Sequence, residues 1–98
     1  MSVVEVRDAE GDWFEVKGPL QFATVPDVWR SSLALFSGRH RRLVFDLAGV
    51  TRADSAGLAL LVEWMREAHK RDMEVHFTNI PAQMEAIARA SNLRELLP

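Results

Sequence analysis

The chain has 98 residues and a mass of 11.1 kDa, enough for one small domain with a single core, and we predict one domain over residues 1–98. Hydrophobic residues make up 48% and charged residues 27%, which excludes a disordered or fibrous chain. Cysteine is absent, so disulfides, thiolate nucleophiles and zinc sites with sulfur ligands are excluded. The formal net charge of −2 argues against a domain that grips nucleic-acid phosphates.

The sequence pattern of the N-terminal half predicts a hairpin followed by a helix. Short strands are expected at 3–7 and 13–17, joined by the turn-rich residues 8–12, with Gly18 and Pro19 ending the second strand. A helix is predicted from Thr24, a plausible cap, to Gly38, with Pro26 in its first turn. Its apolar stripe comprises Val25, Val28, Trp29, Leu33 and Phe36.

The middle of the chain predicts a buried strand at 42–47, a loop at 48–54, and a helix that begins at Asp54 or Ser55 and ends near Arg71. On a helical wheel the core stripe of this helix is Leu58, Leu61, Val62 and Met65. Ala56, Leu60 and Trp64 fall largely on the opposite face. An aromatic residue on that face is more typical of a partner surface than of a structural role within the domain, and both interpretations of Trp64 remain open.

The remaining elements are a strand at 73–79, a helix from Pro81 to about Ala90, and a further turn at 92–97. Strands separated by helices favour parallel pairing, whereas the first hairpin must be antiparallel. The order ββαβαβα therefore predicts an α/β fold with a mixed four-stranded sheet covered by helices.

The sequence contains little evidence for a catalytic site. Ser55 follows the strand at 42–47 too distantly for a nucleophile elbow, and His40, His69 and His76 share no metal-ligand spacing. The five glycines form no phosphate-binding loop of either common kind. We expect neither catalytic residues, nor a metal site, nor a cofactor.

The start of the helix after the strand at 42–47 is the candidate recognition site. Ser55 lies where the first helical amides lack partners, so its hydroxyl could cap the helix or carry a phosphate, and Asp54 could cap it equally well. Gly57 permits close backbone approach, either by a partner or by the domain itself.

Residues 46–58 carry a family resemblance. Asp46 and Leu47 end a strand, Val50 follows, and Asp54-Ser55-x-Gly57-Leu58 opens a helix, a pattern that resembles the STAS domain. Residues 25–29 and 55–62 are most similar to the MlaB-like branch, the cytoplasmic STAS subunits of the ABC transporter that moves phospholipids between the membranes of Gram-negative bacteria.

This resemblance implies a non-catalytic subunit that binds and stabilises or regulates an MlaF-like ATPase subunit and so helps maintain outer-membrane lipid asymmetry. It implies a cytoplasmic protein held at the inner face of the inner membrane through its partner. The longest apolar run, from Ala56 to Val62, is too short to span a membrane. The alternative is an anti-sigma-factor antagonist switched by phosphorylation of Ser55, although Ala53 and Ala56 depart from that pattern. The implied contacts lie in the loop 48–54 and the helix 55–71. The predicted partner-binding residues are Thr51, Asp54, Ser55, Ala56, Gly57, Leu60 and Trp64.

Overall fold

A computed structural model describes residues 13–37 and 41–91, which form alternating strands and helices. The elements are β1 (Trp13–Leu20), α1 (Val25–Phe36), β2 (Arg42–Ala53), α2 (Ser55–Lys70), β3 (Glu74–Thr78) and α3 (Ala82–Ala90). The type and order of the elements predicted from residue 13 to residue 90 are confirmed. The predicted strand at 3–7, the turn at 8–12 and the turn at 92–97 lie outside the described residues.

The described strands form a sheet in the order β1-β2-β3, and both pairs are parallel, as the intervening helices predicted. Parallel crossovers are right-handed, so consecutive strands in this order place their helices on one face of the sheet. The carboxyl ends of the strands then bring the N-termini of all three helices to one edge. We call this the carboxyl edge.

β2 is longer than predicted. Residues 48–53 were expected to form a loop, but they continue the strand and pair with β1, where Gly49 opposes Lys17 and Ala53 opposes Leu20. The predicted stop at Gly18-Pro19 is also wrong, because β1 continues to Leu20. Two register shifts each place one extra residue in β2. Such bulges interrupt the alternation of side chains along the strand. They also interrupt the hydrogen-bond ladder, so a proline, which lacks a backbone N–H, is tolerated there.

The core lies between the sheet and the helices and contains a stack of aromatic rings. Phe45 of β2 lies parallel to Trp64 of α2, with ring centroids 4.0 Å apart and an interplanar angle of 3°. Phe14 and Phe77, on the flanking strands, each contact the Phe45 ring. Aromatic residues in register on three strands therefore provide the platform on which α2 rests.

The predicted core stripe of α2 is only partly correct. Leu58 and Leu61 are buried, but Val62 and Met65 remain half-buried. The buried residues of α2 are Gly57, Leu58, Leu60, Leu61, Trp64 and Ala68. The buried face is thus rotated by about a quarter turn from the predicted stripe, because the helix packs against α1 as well as against the sheet.

A buried hydrogen-bond chain joins α1 to α2. The indole N–H of Trp64 donates to the hydroxyl of Ser32 at 2.8 Å, and that hydroxyl donates to the carbonyl of Trp29 at 2.7 Å. Ser32 is fully buried, whereas Leu33, predicted to belong to the core stripe of α1, is exposed. A polar residue therefore replaces an apolar one at this helix contact, since the tryptophan N–H requires an acceptor.

Candidate protein-interaction site

Asp54 caps α2. Its Oδ1 accepts a hydrogen bond from the backbone N–H of Ala56 at 2.8 Å, so Asp54 occupies the position that the sequence left open between Asp54 and Ser55. Ser55 becomes the first helical residue and is exposed. Its hydroxyl has no hydrogen-bond partner within residues 13–37 and 41–91. The site therefore presents a serine hydroxyl to the surroundings.

The second carboxylate oxygen of Asp54 holds a different part of the chain. Oδ2 accepts from the backbone N–H of Phe22 at 3.1 Å, and the backbone N–H of Asp54 donates to the carbonyl of Leu20 at 3.2 Å. The Oδ2 contact attaches residues 21–24, which connect β1 to α1, to the N-terminus of α2, and the contact with Leu20 attaches the end of β1 to the same place. We call residues 21–24 the β1–α1 loop.

The loop also has internal hydrogen bonds. The hydroxyl of Thr24 donates to the carbonyl of Pro19 at 2.7 Å and accepts from the N–H of Gln21 at 3.0 Å. Thr24 precedes α1 as predicted, but its side chain closes the loop and makes no hydrogen bond to the helix. The path of the backbone through this loop is therefore well defined.

Gly57 is required by contacts inside the domain. A Cβ atom at this position would lie 2.8 Å from the carbonyl oxygen of Leu20 and 3.1 Å from the Cβ of Leu20. Met84 of α3 closes the same space at 3.4 Å. Gly57 therefore permits close approach by the domain itself and not by a partner, because Leu20 and Met84 fill the space beside it.

The predicted partner-binding residues separate into two groups. Thr51 and Ser55 are exposed and Asp54 and Ala56 are half-buried near the carboxyl edge; we call these four residues the Ser55 surface. Gly57, Leu60 and Trp64 are buried, with at most 2% exposure for Leu60 and Trp64.

The expectation that Leu60 and Trp64 lie on the outer face of α2 is wrong. α1 covers that side of α2, and the Trp64 indole is enclosed between Phe45 and Ser32. Buried side chains cannot contact a partner directly, so these two residues support the site from within.

Phe22 is a site residue that no sequence pattern predicts. Its side chain is 84% exposed, although its backbone N–H is bound by the same carboxylate that caps α2. A single phenylalanine in a short loop has no periodic pattern that would reveal its exposure. The contact with Asp54, distant in sequence, places Phe22 beside the Ser55 surface.

No group of three or more histidine, aspartate or glutamate side chains within the described ranges could hold a metal ion. Among the same residues, no helix is long and apolar enough to cross a membrane. The carboxyl edge carries an exposed serine hydroxyl close to an exposed phenylalanine.

The sequence profile of the MlaB-type STAS domain matches residues 5–98, and the chain belongs to this family. The STAS fold is therefore confirmed. No curated protein sequence matches the chain significantly.

Solved structures share the fold. The anti-sigma-factor antagonist SpoIIAA in its unphosphorylated form is 20% identical with a TM-score of 0.67, and the match covers 88% of this chain and 76% of that one. A sulfate transporter family protein from Wolinella succinogenes is 17% identical with a TM-score of 0.70, covering 89% and 70%. SLC26A9 is 19% identical with a TM-score of 0.73, and the match covers 85% of this chain and 16% of SLC26A9.

Proposed function

We propose that the protein is a non-catalytic STAS subunit that binds and stabilises or regulates the ATPase subunit of an ABC transporter for phospholipids. The match of nearly the whole chain to the MlaB-type STAS profile supports this role. In this proposal the protein lies in the cytoplasm at the inner face of the inner membrane, held there by an MlaF-like ATPase. The transporter would maintain the lipid asymmetry of the outer membrane.

The observation that carries the proposal is the exposed hydroxyl of Ser55. Because Asp54 caps α2, the serine is not required for helix stability and remains available for contact. Thr51 and Ala56 lie on the same surface, and neither carries a charge that a partner would have to desolvate. The buried Gly57, Leu60 and Trp64 hold this surface in place.

A second candidate function rests on the same hydroxyl. An exposed serine without a hydrogen-bond partner in the described chain is accessible to a kinase, as an anti-sigma-factor antagonist requires. Phosphate would add nearly two negative charges beside the Asp54 carboxylate, a repulsion that the helix N-terminus offsets only in part. This repulsion and the MlaB-type profile favour the transporter role.

Purification of the protein from its native host, followed by identification of the co-purifying chains, separates the two functions. We expect an ABC-transporter ATPase subunit, and a Ser55 that mass spectrometry finds unmodified. A co-purifying serine kinase together with stoichiometric phosphate at Ser55 would support the antagonist and contradict the transporter role.

A further inference from the structure

We infer that Phe22 is the apolar anchor with which the protein binds the ATPase subunit, and that Asp54 is the residue that positions it. This inference rests on the proposed function and specifies the contact made at the same site. The ATPase subunit would supply an apolar pocket for the phenyl ring next to the group that contacts Ser55.

The exposure of Phe22 is the first observation. The exposed large hydrophobic residues of the described chain are Phe22, at 84%, and Leu33, at 36%. Leu33 lies on a regular helix, where scattered partial exposure of apolar residues is normal. Phe22 presents nearly its whole ring to solvent, and buried aromatic residues are the commonest anchors of protein interfaces.

The hydrogen bonding of the β1–α1 loop is the second observation. Asp54 binds the N–H of Phe22, while Thr24 binds the Pro19 carbonyl and the Gln21 N–H. A ring displayed by a loop that is already fixed loses little conformational freedom when it enters a pocket. The backbone that carries the exposed ring is therefore held in place before a partner binds.

The position of Phe22 links it to the partner proposed for Ser55. One carboxylate holds both segments, with Oδ1 on the first turn of α2 and Oδ2 on Phe22, so a protein seated on Ser55 also covers the neighbouring ring. One helical turn beyond Ser55, Ala59 lines a groove of about 320 Å³ between α1 and α2. The other residues of this groove are Val25, Trp29, Leu60 and Glu63. Because Leu60 is buried and Glu63 is charged, the accessible apolar atoms of this groove belong to Ala59, Val25 and Trp29, and they continue the surface along α2 from Ser55.

Calorimetry with the purified ATPase subunit of the host transporter tests the anchor. We expect Phe22→Ala to weaken the affinity by about tenfold or more, because a desolvated aromatic contact is lost. Leu33→Ala is the matched control, since it also shortens an exposed apolar side chain, and it should change the affinity by less than about threefold. Circular dichroism establishes that both variants are folded.

Asp54→Asn tests the positioning role. The amide retains one oxygen acceptor, whereas the carboxylate uses two, so the variant can cap α2 or hold Phe22 but not both. Asparagine is a good helix cap, so we expect the fold to persist, the Phe22 amide to exchange faster with solvent, and the affinity to fall. Asp54→Asn combined with Phe22→Ala should bind no more weakly than Phe22→Ala alone, because Asp54 acts through the ring.

Ser55→Asp distinguishes failure of this inference from failure of the proposed function. If Ser55→Asp loses binding while Phe22→Ala binds like wild type, the site stands and the anchor is refuted. If wild type does not bind the ATPase subunit at all, the proposed function fails and the inference fails with it. If Phe22→Ala instead abolishes flotation with vesicles of phosphatidylethanolamine and phosphatidylglycerol, and leaves ATPase affinity intact, the ring contacts lipid and the inference is wrong.

Discussion

Trp64 has a structural role that follows from its two faces and its polar edge. Its ring is fully buried and stacks on Phe45, and its N–H finds an acceptor in Ser32. A wheel drawn from sequence places this tryptophan outside because it takes only the sheet into account. The neighbouring helix α1 supplies the second layer, which a single-element pattern does not contain.

Ser32→Ala should lower the free energy of unfolding by about 1–3 kcal/mol, since it leaves the buried Trp64 N–H without an acceptor. Urea denaturation followed by tryptophan fluorescence measures the change. Ser31→Ala, one residue earlier and exposed, is the control and should stay within about 0.5 kcal/mol of wild type. Equal unfolding midpoints for the two variants would contradict the buried hydrogen bond.

Gly57→Ala should destabilise the protein, although alanine has a helix propensity about 1 kcal/mol more favourable than that of glycine. The new methyl group would lie 2.8 Å from the Leu20 carbonyl, and overpacking of this kind costs about 1–3 kcal/mol. Thermal unfolding should show a lower midpoint for Gly57→Ala. Ser55→Ala, on the exposed first turn, should leave the midpoint nearly unchanged, and a Gly57→Ala variant more stable than wild type would refute the close contact.

The residues of the site differ in how far sequence can predict them. Local preferences predict that either Asp54 or Ser55 caps α2. The hydrogen bond from the Ala56 N–H to the Asp54 carboxylate identifies Asp54 as the cap. Phe22 depends on Asp54, which is 32 residues away in the chain, so no local pattern places it.

At the scale of elements, the type of each described helix and strand follows from its pattern, while its length and rotation depend on its neighbours. β2 has two extra residues relative to β1. These bulges interrupt the alternation of apolar and polar residues, so the pattern of residues 48–53 does not predict a strand. Helix α2 turns its buried face toward both the sheet and α1, and its predicted stripe is displaced accordingly. The neighbouring elements therefore determine the length of a strand and the rotation of a helix, because the periodicity of the sequence alone does not define them.

Arg71 closes the C-terminal end of α2 with an ion pair to Glu67 and links this end to α1 through a hydrogen bond. The Arg71 guanidinium lies 2.6 Å from the Glu67 carboxylate and also donates to the Phe36 carbonyl at 3.2 Å. The hydrogen bond from Arg71 lowers the pKa of Glu67 from its usual value of 4.5, with Lys70 contributing charge and partial burial opposing the shift. Glu67 therefore favours its ionised form more strongly in the folded protein than in the unfolded chain.

The lowered pKa predicts a pH dependence. The folded-state pKa lies below the unfolded value, so the stabilisation is present above about pH 4.5 and is lost as pH falls through the folded pKa. Glu67→Gln should be less stable than wild type at neutral pH, and the difference should shrink under acid conditions. Glu63→Gln, which removes a more exposed ion pair to Arg66, is the control with a small effect. A wild-type advantage over Glu67→Gln that persists unchanged in acid would contradict the role of this pair.

At the scale of the molecule, consecutive parallel strands bring the start of each described helix to the carboxyl edge. This topology follows from the alternation of strands and helices in the sequence. It also explains why residues from the β1–α1 loop, the end of β2 and the start of α2 meet at one surface. What the pattern does not contain is which side chains at that edge remain exposed, because burial depends on contacts among α1, α2 and α3.

The affinity of the Ser55→Asp variant for the ATPase subunit, measured by calorimetry, tests the central claim most directly. A charge placed within a packed interface must lose its hydration, so we expect binding to weaken by about tenfold or more. Ser31→Asp makes the same chemical change on the exposed side of α1 and should bind like wild type. Equal affinity of wild type and a folded Ser55→Asp variant would show that the ATPase subunit does not bind at the Ser55 surface.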